Sequence, residues 1–537
     1  MNKLNNRLLL ALSFFFLALG SIAQENEPDN NWMNLDRNID NYPGISLEKA
    51  YETFLSGKEG KEVVVAVIDS GVDVEHEDLQ GKIWVNEDEI AGNGIDDDNN
   101  GYIDDVHGWN FIGGAEGDVE FDNLEFTRIY IELRNRFLNK SKSDIASSEK
   151  EDYARYLSMQ TQYDNRVKAA EESKTEYQAI LMFYDMSVKA VKEVLGKKEL
   201  TVENVQALPA GDERFEAMKE LTILGLSADL KKDLKEGLKH FDEQLDYMYN
   251  LDFDSRKIVG DNYEDKTERF YGNNNYEGPS ANHGTHVAGI IAADRNNEIG
   301  MKGIADKAKI MVLRVVPNGD ERDKDVANAI RYAADNGARV INMSFGKSYS
   351  PEKYLVDDAV AYAESKGVLM VHAAGNSSKN TDITNNYPNP VNEVTREACT
   401  TWIEVGASNW VSGLDLPASF SNYGRRSVDV FAPGVDIYST TPDNNYEENS
   451  GTSMASPVVA GLAALIMSYY PELSAKDVKE IIVNSYADYK KEKVQIPGNK
   501  KKTKFKKLSK TGGVVNAFNA LRMAKDYQSL ISAKTGG

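Results

Sequence analysis

"KEVVVAVIDS" occupies Lys61–Ser70, an almost unbroken β-branched run ending in Asp69 and Ser70, with Gly71 next. A strand that is apolar at consecutive rather than alternate positions reads as one buried on both faces. Similar runs recur at Ile310–Val316, Val340–Ser344, Val368–Ala374, Trp402–Val405 and Val428–Phe431. Helical patterns separate several of them, as at Asp325–Asn336 and Pro351–Lys366. Strands alternating with helices imply an α/β fold, with a mostly parallel central sheet covered on both faces. Functional residues in such folds gather at the carboxyl ends of the strands, which is where Asp69 stands.

At 537 residues the chain exceeds one ordinary core, so two domains or one domain with a large insertion is expected. With 41% hydrophobic and 27% charged residues, the composition is that of a soluble globular protein. A formal charge of −23 argues against nucleic acid or an anionic membrane as partner, and suits an exported protein that holds divalent cations. The opening "MNKLNNRLLLALSFFFLALGSIAQ" reads as a cleaved signal peptide over residues 1–23. It has basic Lys3 and Arg7, apolar Leu8–Leu19 and a small-x-small site at Ser21-Ile22-Ala23. The apolar run is shorter than the roughly 20 residues of a membrane span, so a secreted or periplasmic protein with no span after cleavage is expected. Cys399 is the only cysteine, which excludes an intrachain disulfide. Stability outside the cytoplasm then rests on core size and on bound ions.

Residues 121–255 break the strand–helix rhythm. Phe126, Tyr130, Leu133 and Phe137 fall at helical spacing, as do Ile180, Tyr184, Val188, Val191 and Leu195, with Gly196 as a cap. A third set, Leu230, Leu234, Leu238, Phe241, Leu245 and Met248, follows Ser227 as the expected N-cap. The pattern predicts an α-helical insertion of antiparallel helices, either an elaborated surface loop or a lid that selects substrates. Near the C-terminus "GNKKKTKFKKLSKTGG" reads as a solvated basic loop in preference to a specific binding patch.

"ANHGTHVAGIIAA" (Ala281–Ala293) carries two histidines three residues apart. A zinc protease helix would need Glu directly after the first histidine, and Gly284 and Thr285 fill the gap instead. A nucleophile route fits better. "NSGTSMASPVVAGLAALIMSYY" (Asn449–Tyr470) sets Ser453 at the head of a long apolar helix, where free N–H groups and the helix dipole favour an oxyanion. A serine hydroxyl needs a base, and the base needs an orienting carboxylate. Asp69, His283 and Ser453 supply the three types, and Asn376 in "VHAAGNSS" offers an amide to a tetrahedral oxyanion.

These segments resemble the subtilases, the subtilisin-like serine endopeptidases: "VAVIDSGVD" around Asp69, "NHGTHVAG" around His283, "AAGN" ending at Asn376 and "GTSMASPVVAG" around Ser453. The resemblance covers roughly residues 40–115 and 256–525. It implies a three-layer subtilisin-like fold acting on protein or peptide substrates through an acyl-enzyme intermediate. Ser453 would be the nucleophile, His283 the general base and acid, and Asp69 the residue orienting it, while His286 only packs. The Asn376 side chain and the Ser453 N–H would meet the oxyanion. Ser344, Phe345 and Gly346 would pair with the substrate backbone and, with Ala373, Ala374 and Gly375, wall the specificity pocket, with Asn386 at its floor. The expected division is a signal over 1–23, an N-terminal segment over 24–60, a peptidase domain over 61–120 and 256–525, the insertion over 121–255 and a tail over 526–537. The N-terminal segment is shorter than the family's usual pro-domain. Asp69 and His283 are 214 residues apart, where the family usually has a few tens.

"GNGIDDDNNGYIDDVHGW" (Gly92–Trp109) resembles half of a calcium loop. Asp96, Asp98 and Asn100 stand at its first, third and fifth positions, and Tyr102 would lend a carbonyl. His107 stands where a bidentate acid is expected, so Asp104 or Asp105 would substitute. The family resemblance suggests a second calcium site at Asp78 and Asn297. Two rivals remain open: a selective processing protease gated by the insertion, and a catalytically silent peptide-binding scaffold.

Overall fold

The run at Lys61–Ser70 forms strand β1 (Val63–Asp69), buried except at Val64. Around it, in a computed structural model describing residues 28–535, stand β2 (Gly108–Asn110), β3 (Ala308–Arg314), β4 (Val340–Met343), β5 (Leu369–Ala373), β6 (Trp402–Ser408) and β7 (Val430–Pro433). A hairpin, β8 (Ile437–Thr441) with β9 (Asn445–Asn449), lies apart from the sheet, and β10 (Ala487–Asp488) and β11 (Gly513–Val514) extend its edge. The nine-stranded order is β10-β11-β7-β6-β5-β4-β1-β3-β2, parallel throughout except for the β10–β11 pair. The expected signal peptide lies outside the described residues.

Because side chains alternate along a strand, β1 feeds two cores at once. Val63, Val65 and Val67 pack on one side with helices α5 (Asn282–Ala292) and α8 (Thr452–Tyr469). Ala66 and Ile68 pack on the other with α6 (Asp323–Asp335) and α7 (Lys353–Ser365). This is the three-layer arrangement. Helix α8 is long and apolar enough to cross a membrane, but 89% of it is buried in this body. Trp32, in the segment ahead of β1, is fully buried in the same core, and its indole N–H donates to Asp436 O at 3.1 Å. The final strands begin or end a few residues from the expected runs; β6 continues through Gly406, Ala407 and Ser408, all buried.

Between β2 and α5 the chain forms α1 (Glu125–Phe137), the 46-residue α2 (Lys150–Leu195), α3 (Glu213–Ser227) and α4 (Leu230–Glu243). The predicted stripe Phe126, Tyr130, Leu133 and Phe137 is buried against Tyr156 and Met159 of α2. Farther along α2, Tyr184 meets Leu221, Leu230 and Leu234. Gly196 ends α2 at φ 66°. Ser227 does not cap the next helix as expected. The mostly apolar run Leu221–Leu226 carries α3 through to Ser227, whose hydroxyl donates back to Ile223 O at 2.9 Å. Asp229, at φ 43°, precedes α4, and a single π turn (Gln244–Met248) follows it.

Candidate active site

Three carboxyl-terminal strand ends and two helix N-termini converge. Asp69 is the last residue of β1, Ser344 directly follows β4, and Gly375-Asn376 lie just beyond β5. His283 and Ser453 are the second residues of α5 and α8. Close approach of α5 to β1 depends on Gly284, where a Cβ would stand 2.1 Å from Gly71 O.

His283 Nδ1 lies 2.7 Å from Asp69 Oδ1. A carboxylate only accepts, so Nδ1 carries the proton and Nε2 is the basic nitrogen of the neutral ring. The imidazole is 41% exposed and Asp69 only 1%. Burial of the ring's inner side works against its charged form, but the Asp69 charge and hydrogen bond outweigh it and raise the pKa above the usual histidine value. His286, one turn on, behaves oppositely. Burial pushes its pKa down to about 4, and Nε2 bonds to Glu447 O at 3.1 Å, so it is a packed neutral residue at ordinary pH.

Ser453 and Ser344 exchange two hydrogen bonds: Ser453 Oγ donates to Ser344 O at 3.0 Å, and Ser344 Oγ to Ser453 O at 2.9 Å. Among the described residues no hydrogen bond joins Ser453 to His283, so the hydroxyl must turn from the Ser344 carbonyl to reach the base. Asn376 Oδ1 accepts from Thr452 N (2.9 Å) and Thr452 Oγ1 (2.8 Å), which fixes the amide so that Nδ2 is the free donor. A Cβ on Gly451 would lie 3.3 Å from Asn376 Nδ2 and 3.5 Å from Ser453 N. Two donors therefore share one space, and the absent side chain at Gly451 keeps it open. Gly451 itself is extended, at φ 170°, so space and not backbone freedom explains the glycine.

The residues expected to line the pocket also meet. Asn386 Nδ2 donates to Ala374 O at 3.2 Å, and its amide would touch a Cβ placed on Gly346 at 3.0 Å or on Gly375 at 3.5 Å. Asn386 thus closes the space between the two wall segments, at one side of a cavity of about 570 Å³ that reaches Glu404. Behind the wall His372, fully buried, places Nδ1 3.0 Å from Glu404 and Nε2 2.9 Å from Phe345 O. Sequence reading missed this pair, because a histidine and a glutamate inside apolar strands show no spacing signal.

In the acidic loop Asp96 and Asp98 converge, but the third carboxylate is Glu89, not Asp104 or Asp105. One oxygen from each of the three lies within 4.8 Å of the others. Asp104 turns its oxygens to the N–H groups of Asn93 and Gly94. Asp105 faces Asn86, Asn100 and Tyr332, and burial raises its pKa to about 6. Asn100 braces both Asp98 and Asp105 through its amide, the Tyr102 ring is buried among aromatics, and His107 bonds to Trp84 O. Glu89 was invisible in the motif because it precedes the loop. At the second expected site, Asp78 Oδ1 accepts from Asn297 Nδ2 (2.6 Å) and Oδ2 from Met301 N (3.1 Å). The two residues expected at this site are thus brought together, Asp78 being buried and Asn297 reaching it across 219 residues.

A parallel sheet bearing Asp69 at a strand end, with His283 and Ser453 heading two helices, defines a subtilisin-like α/β fold. The model of the subtilase family, peptidase S8, matches residues 60–513, and the chain belongs to this family. It is 44% identical over 229 residues, 42% of this chain, to a thermophilic serine proteinase of Bacillus sp. (strain AK1). It is 38% identical over 43% of its length to a cell wall-associated protease of Bacillus subtilis (strain 168), and 42% identical over 38% to thermitase of Thermoactinomyces vulgaris. These matches span 51%, 24% and 66% of the three relatives' own lengths.

Proposed function

We propose that the chain is an exported serine endopeptidase that cleaves peptide bonds through Asp69, His283 and Ser453. The observation that carries this reading is the 2.7 Å bond from His283 to a buried Asp69, set beside a serine at a helix N-terminus with two donors over one empty space. Ser453 Oγ leaves Ser344 O, gives its proton to His283 Nε2 and attacks the scissile carbonyl. Asp69 holds the imidazole in the required tautomer and stabilises the imidazolium that forms. Asn376 Nδ2 and the Ser453 N–H receive the oxyanion. His283 then protonates the leaving amine, and water hydrolyses the acyl-enzyme by the same steps in reverse. Substrate would lie along Ser344–Gly346, with one side chain entering the space bounded by Ala373, Ala374, Gly375 and Asn386.

Glu89, Asp96 and Asp98 suit a calcium ion, since three carboxylates so close repel one another without a cation. The ion's contribution would be structural, pinning the 86–105 loop in a chain that has no disulfide. Export is supported by the N-terminal residues and by similarity to a cell wall-associated protease. A serine-directed fluorophosphonate tests the reading. Labelling is expected at Ser453, and Ser453→Ala should abolish both labelling and hydrolysis; hydrolysis that survives the substitution would sink the assignment. A calcium chelator should lower the melting temperature, and indifference to it would remove the ion.

A further inference from the structure

A buried cation links the helical region to the substrate-binding edge, beside the packing of Tyr349 on Phe126. Lys347 directly follows Ser344-Phe345-Gly346, and its side chain is 2% exposed. Its Nζ lies 2.8 Å from Glu125 Oε2, 2.8 Å from Glu321 O and 2.9 Å from Asp323 Oδ1, one acceptor for each of its three hydrogens. Glu125 is the first residue of α1 and Asp323 the first of α6. Arg128 Nη2 holds Glu125 from the other side at 2.7 Å, while Arg128 Nη1 donates to Asn123 O and Asp320 O. On its backbone, Lys347 exchanges two 2.9 Å hydrogen bonds with Tyr387, the neighbour of Asn386. Residue 347 therefore sits between the pocket wall, the pocket floor and the first turn of the helical region.

Burial alone would push Glu125 up and Lys347 down. The opposite charges around each outweigh it, leaving Glu125 at about 2 and Lys347 well above its ordinary value. Both stay charged across any working pH, so the contact is a fixed strut and not a proton switch. A buried ammonium without its partners is strongly disfavoured, so losing Glu125 should shift Lys347 and the segment attached to it.

We propose that Glu125 is a positioning residue for substrate, acting through Lys347 to hold Ser344–Gly346 in the place where an extended peptide pairs with it. This rests on the endopeptidase reading above. It gives the first helix of the 121–255 region a role in holding substrate, separate from the bond-breaking step.

The test compares Glu125→Gln and Glu125→Asp with the parent, using an extended peptide amide and a small ester that reaches only the pocket. Glu125→Gln should raise KM for the extended peptide by about tenfold and leave kcat within about twofold, the signature of lost binding without lost chemistry. KM for the ester, which meets the pocket wall but makes no extended pairing, should rise clearly less than KM for the peptide, fluorophosphonate labelling should stay within about twofold, and Glu125→Asp should restore part of the peptide KM. A drop in melting temperature with no KM change, or an equal loss on both substrates, overturns the proposal. Amide exchange at Ser344–Lys347 is read in parallel because it needs no activity. It should quicken in Glu125→Gln and not in Asp185→Asn, a distant substitution at the exposed Lys231 pair. Unchanged exchange overturns the coupling. A parent that neither labels nor hydrolyses, while exchange still responds, removes the endopeptidase reading and leaves the coupling standing.

Discussion

The sheet body and the helical region between β2 and α5 are held together by different means. In the body, β1, β4 and β5 are packed on both faces, with almost every apolar side chain fully buried. The 46-residue α2 buries only Tyr156, Met159, Ala170, Tyr184, Ser187, Val191 and Leu195, while Met182 is 63% and Val194 52% exposed. Small separate clusters hold its helices, with no common core. In the body, site geometry follows from strand ends that dense packing over-determines. In the helical region a few contacts set the order, so it can loosen locally without moving Asp69 or Ser453. Its inner end is the exception, because there Glu125 and Arg128 enter the buried charge network.

The sharpest contrast comes from changes in the body that leave packing intact. Asp69→Asn keeps the side chain's shape but presents an amide donor to His283 Nδ1, favouring the wrong tautomer. A fall in kcat of about 10⁴-fold is expected, measured with a small ester. The same substitution tests the charge. Activity needs the neutral imidazole, so the acid limb of kcat/KM in the parent should lie above about pH 6.5 and move down in the variant. Stability runs the other way. A raised histidine pKa stabilises the fold below the unfolded value, and that contribution is lost as pH rises through the folded value. The parent is therefore most active where the pair contributes least to stability. A limb that stays in place in Asp69→Asn would mean that another group sets it.

Next in size is Gly451→Ala. Its methyl would fill the space shared by Asn376 Nδ2 and Ser453 N. A loss of about 10²–10³ in kcat is expected, comparable to removing one oxyanion donor. Labelling by a fluorophosphonate should slow in parallel, since its phosphoryl oxygen needs the same space. Full activity would place the oxyanion elsewhere.

The same division governs what could be read in advance. Continuous β-branched runs such as Val63–Asp69 announce a two-faced strand, and the candidate site residues could be named because each sits in a local motif at the end of an element. Partners that meet only through the fold were not. Glu89 joins Asp96 and Asp98 from outside their loop, His372 finds Glu404 across adjacent strands, and Lys347 reaches Glu125 across 222 residues. Ser227 failed as a predicted cap for another reason. A serine can end one helix or begin the next, and the apolar residues before it decided which.

The smallest effect on activity should come from the middle of the helical region. Leu221 is 2% exposed and packs with Tyr184, Leu230 and Leu234, a cluster far smaller than either face of the sheet. Leu221→Ala removes buried methyl groups and leaves a cavity, costing about 2–3 kcal/mol, the lower part of the usual range because so small a cluster can collapse. If the region opens independently of the body, that cost falls on it alone. Helical signal in circular dichroism should then be lost in two steps, with only the earlier step shifted in the variant. The temperature at which ester hydrolysis fails should not move, and kcat at 25 °C should stay within about twofold of the parent. If both midpoints fall together, helices and sheet unfold as one unit, and the inner contact at Glu125 must then transmit stability as well as position.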